Sequence, residues 1–247
     1  MATVAASPAD RRSAERKFYS RMAVVLVLVV LLAFSPSFYL RGVVPAYPRP
    51  NPTLPVSVLV HGSLFTLWML VFVAQTQLVS AGRTDLHMKL GKGSMVLALA
   101  IIPMMYLTSV WQVARANQPP FTDPLNWTAI PLAAIPAYGL MVWLGWQRRK
   151  QAQWHKRAML AAGILVVMGP SVGRLPIAPP TLGGFAFQLL IGLMLFVPLV
   201  IWDRRSLGHL HPATKLAIAV GVTSAYLPLL LIATNSWAPI ARHLPGI

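Results

Sequence analysis

The sequence predicts an all-α, polytopic membrane protein, a bundle of seven transmembrane helices with the N-terminus cytoplasmic and the C-terminus outside. Three observations point there. Of 247 residues, 56% are hydrophobic and 11% charged, with a mean hydropathy of +0.63, whereas soluble domains carry about 25% charged residues. The apolar residues gather in runs, and a run of roughly 20 residues crosses the hydrocarbon layer as a helix. The cations lie between these runs and alternate from one connection to the next, as topology signals do.

Seven apolar runs can be counted, at about 22–40, 56–81, 93–114, 128–146, 158–172, 185–202 and 216–234, the fifth being the shortest. They divide the chain into a basic arm (1–21), a transmembrane domain (22–234) and a short outer tail (235–247). Lipid offers no partner to free backbone groups, so each run is expected to be helical. The arm holds five cations (Arg11, Arg12, Arg16, Lys17, Arg21). The connections on the same side hold three (Arg83, Lys89, Lys92), five (Arg148, Arg149, Lys150, Lys156, Arg157) and three (Arg204, Arg205, Lys215). The opposite side has only Arg41, Arg49, Arg115, Arg174 and Arg242, a split of 16 against five without an exception in the alternation. The basic side is therefore assigned to the cytoplasm. Trp111, Trp127 and Trp237 fall at the outer ends, and Trp143, Trp146, Trp154 and Trp202 at the inner ends, as an aromatic belt would.

Local features refine this map. Ser35-Pro36-Ser37 provides no small-x-small cleavage site after the first run, which reads as a retained anchor. Residues 1 to about 17 are polar and expected to be mobile. The proline-rich loop around Tyr47 to Pro52 is expected to be extended. Pro103, Pro131, Pro136, Pro170, Pro198 and Pro228 fall within runs and are expected to bend helices.

Composition also narrows function. A net charge of +16 would suggest nucleic acid in a soluble protein, but here the cations flank membrane runs, so the expected partner is membrane lipid. The chain has no cysteine, which excludes thiolate sites and disulfides. Five acidic residues are too few for an oxygen-ligated Ca²⁺ or Mg²⁺ cage. No phosphate-binding glycine loop, H-E-x-x-H motif or carboxylate pair within a span is present, so hydrolase and ATPase chemistry lack their parts. Nothing in the sequence demands an enzyme.

Ionisable groups at membrane depth are costly, which makes the histidines the main candidates. His61 lies within the second run, and His61, Trp68 and Gln75 are spaced seven apart, so they share one helix face. That polar and aromatic stripe should face the protein interior. His87 and His155 lie at similar depth, just before the third and fifth runs. Two such imidazoles could be axial ligands of haem b or share a transition-metal ion. They could equally be interfacial residues bonded to headgroups. Asp85 can cap the helix that leads into the third run. Arg174 ends the fifth run where cations are scarce; it either snorkels to headgroups or meets an anion or quinone oxygen beside His61. Arg83, Lys156 and Arg157 most simply enforce topology, and neutralising an anionic cofactor edge is their second reading. His209 and His211 read as solvated loop residues, and His243 as part of the tail.

The stretch from His61 to Gly91, with Gln75-Thr76-x-Leu78 and G-R-x-x-L-H-x-x-L-G, and the H-K-R-x-M-L element at His155 resemble a group of bacterial multi-pass inner-membrane proteins. The last element is also similar to one in membrane proteins of cytochrome-oxidase assembly. The resemblance covers about a third of the chain and implies a link to haem or respiratory-chain maturation, with respiratory-chain or other membrane proteins as partners. It carries over His61, Gln75, Arg83, His87, His155, Lys156 and Met159; Met88 departs from the pattern, where a basic residue is common. Three readings stay open: a redox or haem-associated protein using His87 and His155, a permease or proton-linked carrier with His61, Gln75 and Arg174 around an outward cavity, and a non-catalytic scaffold.

Overall fold

The computed structural model describes residues 7–45, 51 and 53–247. Among them every regular element is a helix: α1 Pro8–Phe34, α2 Val56–Ser80, α3 Thr84–Arg115, α4 Pro124–Trp127, α5 Ala129–Gln147, α6 Ala152–Val172, α7 Leu182–Leu193, α8 Val197–Leu207, α9 Pro212–Ala233 and α10 Ala238–Ala241. A π-helical turn, Ser35–Tyr39, extends α1, and a 3₁₀ turn, Met194–Phe196, joins α7 to α8. Among the described residues six helical segments are long and apolar enough to cross a membrane: Pro8–Tyr39, Val56–Ser80, Thr84–Arg115, Pro124–Gln147, Leu182–Leu207 and Pro212–Ala233. The protein is thus a multi-pass membrane protein.

The long helix outside that set of six is α6. His155, Lys156 and Arg157 at its head and Pro170-Ser171 near its end shorten its apolar run. It packs against α1, α5, α7 and α9. Thirteen of its residues are buried, including every one from Leu160 to Met168. A helix enclosed on all sides needs no polar face, and small residues let its neighbours close in. At Gly192 of α7, an added Cβ would lie 2.7 Å from the carbonyl oxygen of Met168. The α1 and α6 helices run side by side in the same direction: Lys156 pairs with Glu15, Gly163 lies against Leu26, and Arg174 covers the Phe34 ring at 4.3 Å. From Lys156 to Arg174 the rise is about 27 Å at 1.5 Å per residue.

Several expectations change. The basic arm is helical from Pro8, because Ser7 caps it by accepting from Asp10 N at 3.1 Å, and Glu15 is tied to Lys156. Asp85 does not cap α3; it sits in the first turn, where Arg83 Nε meets it at 3.2 Å. The sixth run is broken by the 3₁₀ turn, with Pro198 in the first turn of α8. The tail is tied to the bundle. Asn126 gives its amide to Asn235 Oδ1 and accepts from Ala238 N at 2.9 Å, while Trp237 Nε1 donates to Thr128 Oγ1 at 2.8 Å. The proline-rich loop lies outside the described residues, Asn51 apart.

Candidate functional site

At the basic end of the bundle, α3 and α6 each begin after a short reversal, and each places a histidine fourth in its helix. Gly82, at φ +77°, makes the first reversal in the left-handed region that favours glycine. The two rings, His87 and His155, stand edge to face with centroids 6.1 Å apart. His155 Nδ1 donates to the carbonyl oxygen of Gly145 at 2.8 Å. In the neutral ring this leaves a lone pair on Nε2. The Gly145 position keeps α5 close, since a Cβ there would lie 2.6 Å from Met159 Sδ.

His87 is held from α2. Turned so that donors meet acceptors, the Gln75 carboxamide directs its nitrogen at His87 Nδ1 (2.6 Å) and accepts from Gly91 N–H (2.9 Å) and Ser94 Oγ (3.1 Å). Because Nδ1 accepts this N–H, the neutral His87 ring carries its proton on Nε2.

Behind this pair lies a network that sequence reasoning missed. Arg157 is fully buried, and its Nε and Nη2 reach Asp203 Oδ1 at 2.9 and 2.5 Å. Asp203 Oδ2 accepts from His211 N at 3.0 Å and Thr214 Oγ1 at 2.6 Å. Arg157, counted among the cations of the basic side, is thus also a structural partner inside the bundle. His211 is not a solvated loop residue. Its Nδ1 accepts from Ala213 N at 3.1 Å as the cap of α9, and its ring meets Trp154 edge to face at 5.3 Å. Burial, and after it the Arg157 charge, hold the His211 imidazole below its ordinary pKa. The signal available was Asp203 itself, one of five acidic residues in the chain and adjoining an apolar run.

At the opposite end, His61 lines a cavity of about 480 Å³ together with Thr108 and Arg174. Thr108 Oγ1 lies 3.2 Å from His61 Nδ1, and Phe65 leans on the imidazole with ring centroids 4.8 Å apart. The seven-residue stripe does face inward, but it serves three places. His61 borders the cavity, Trp68 is a core residue stacked on Phe72 at 5.6 Å, and Gln75 belongs to the histidine pair. The grouping of His61, Gln75 and Arg174 around one cavity is corrected accordingly. Arg83 is exposed, Lys156 pairs with Glu15, and Met159 packs beside Gly145 rather than on the rings.

Among the described residues no three or more His, Cys, Asp or Glu side chains converge as a metal cage, so the candidate ligand set is the two imidazoles. Comparisons with protein-family models, curated proteins and solved structures gave no match.

Proposed function

We propose that the chain is a seven-span protein of the bacterial inner membrane that binds a transition-metal ion or haem iron between His87 and His155 and serves respiratory-chain redox or assembly. The observation that carries this reading is the 6.1 Å separation of two rings, with His155 Nδ1 bonded to the Gly145 carbonyl so that its Nε2 is free. His87 becomes the second ligand through Nε2 when the Gln75 carboxamide turns its oxygen to Nδ1. Histidine ligands are commonly oriented in this way through the second nitrogen. Metal–imidazole bonds of about 2.0–2.1 Å fit one bare ion between such rings. Axial imidazole–iron bonds are of similar length, so the same spacing suits haem iron or a bare ion. The link to respiratory maturation rests on the resemblance of the His87 and His155 segments.

The seventh crossing is argued from α6 keeping pace with α1 from Glu15 to Phe34. The cytoplasmic assignment of the basic end rests on the 16-to-five distribution of Lys and Arg.

The test is metal analysis with an absorption spectrum on detergent-purified protein from metal- and haem-replete cells. Wild type is expected to retain stoichiometric metal, and His87→Ala and His155→Ala to lose it while staying folded. A folded wild type that is both metal-free and colourless refutes the reading.

A further inference from the structure

The cavity at the His61 end has a composition that calls for a ligand of its own. Arg41, Arg115 and Arg174 all border it, and no Asp or Glu does among the described residues. Its wall includes Ser171, fully buried, whose hydroxyl has no hydrogen-bond partner; Arg115 Nε is likewise buried and unpartnered. A buried donor without an acceptor carries a desolvation cost that a bound acceptor relieves. The rest of the wall is apolar and aromatic, with Phe65, Met105, Trp127, Phe185 and Leu189 on four different helices. Donors and positive charge thus adjoin an oily chamber. The volume of about 480 Å³ lies within the range of small-molecule pockets.

From this we infer that the cavity binds a single-chain amphipath with an anionic, oxygen-rich head. Its hydrocarbon lies among the aromatic side chains, and its carboxylate or phosphate meets the arginine-bearing wall and the Ser171 hydroxyl. The volume admits one chain, not the two of a diacyl phospholipid. Charge complementarity selects the anion, because each arginine is attracted to it and no carboxylate in the wall opposes it. The buried carboxamide oxygens of Gln112 and Gln118, also without partners, accept from water or a hydroxyl on the same head. The site is separate from the histidine pair, since His61 and Gln75 lie about 21 Å apart along α2.

Binding of oleate, oleoyl lysophosphatidylglycerol, oleyl alcohol and inorganic phosphate is measured by native mass spectrometry and by competition on the purified full chain. Both anionic lipids are expected to compete for one site and to bind at least about tenfold more tightly than oleyl alcohol. Their relative affinities tell a carboxylate source from a phosphate source. Arg174→Gln and Ser171→Ala narrow the preference over the alcohol, and Ala134→Phe, which fills the cavity, removes binding of both. Ile130→Trp is the second filling variant, should Ala134→Phe melt early. His87→Ala leaves lipid binding unchanged. Equal binding of oleyl alcohol, binding of phosphate as tight as that of oleate, or oleate binding that survives a folded filling variant overturns the inference.

Discussion

Arg157 and Asp203 form an ion pair in which neither side chain is exposed, joining the buried α6 helix to α8. Asp203 extends the tie to α9 through Thr214 Oγ1 and the His211 N–H. Removing one partner of a buried pair leaves an uncompensated charge, which costs about 3–5 kcal/mol. Asp203→Ala is therefore expected to lose that much stability in detergent unfolding. Asp203→Asn, which can still accept from Thr214 and His211, should lose less. A change below about 1 kcal/mol for Asp203→Ala would place the pair in the range of an exposed salt bridge and refute its role.

The same junction predicts an acid sensitivity. His211 faces Asp203 through its backbone, and Arg157, Lys156 and His209 contribute positive charge nearby. Because burial lowers its pKa, the unfolded chain binds the proton more readily than the fold does. Stability from this residue is present above the unfolded value of about 6.5 and falls as pH drops from there toward the depressed folded value. His211→Asn, which can also cap α9, should flatten the dependence of melting temperature on pH between about 7 and 5. A slope identical to wild type would remove His211 from the account.

The location of the membrane helices was legible because burial in lipid and burial in protein both demand apolar residues, and cation placement marks the turns. The pairing of His87 with His155 was also legible, since both stand at the start of helices rising from the same end. The three-way use of the His61–Trp68–Gln75 face was not. Helical periodicity says which face turns inward, but not which neighbour waits at each level. The partner of Arg157 was hidden for a related reason: a cation at a helix end has the same sequence appearance whether it meets headgroups or Asp203. Only the Arg157–Asp203 pair between α6 and α8 distinguishes these cases.

Close helix approach makes two glycines unequal. A Cβ at Gly192 would meet the backbone oxygen of Met168 at 2.7 Å, whereas at Gly145 it would meet the mobile end of Met159 at 2.6 Å. Backbone cannot swing aside, and forced overpacking costs about 1–3 kcal/mol. Gly192→Ala is expected at the upper part of that range and Gly145→Ala near its foot, read from paired melting curves. The reverse order would mean that α6 and α7 can separate more easily than Met159 can change rotamer.

Gln75 should act on the histidine site without belonging to the ligand set. Its carboxamide contacts His87 Nδ1 at 2.6 Å, so Gln75→Leu leaves that ring without its orienting bond. Loss of such a partner typically weakens metal affinity 10–100-fold. Gln75→Glu, which retains an acceptor for Nδ1–H, should recover most of the affinity in a titration of the apo-protein with Zn²⁺ or Cu²⁺. If Leu and Glu behave alike, Gln75 is only filling space between α2 and α3.

Whether α6 crosses the membrane decides which side the last helix ends on. With seven crossings from a cytoplasmic start, the α8–α9 connection is inside and the tail outside. With α6 confined to one leaflet, those two positions exchange. The chain has no cysteine, so single-cysteine labelling needs no prior substitution. Ser206 and Ser236 are both exposed and lie at opposite ends of α9. An impermeant maleimide is expected to label Ser236→Cys on intact spheroplasts and Ser206→Cys only after permeabilisation. The opposite pattern would keep α6 from spanning and put the C-terminal tail on the same side as the His87–His155 pair. The parallel course of α1 and α6 argues against that outcome, because Glu15–Lys156 and Phe34–Arg174 tie the two helices at both ends.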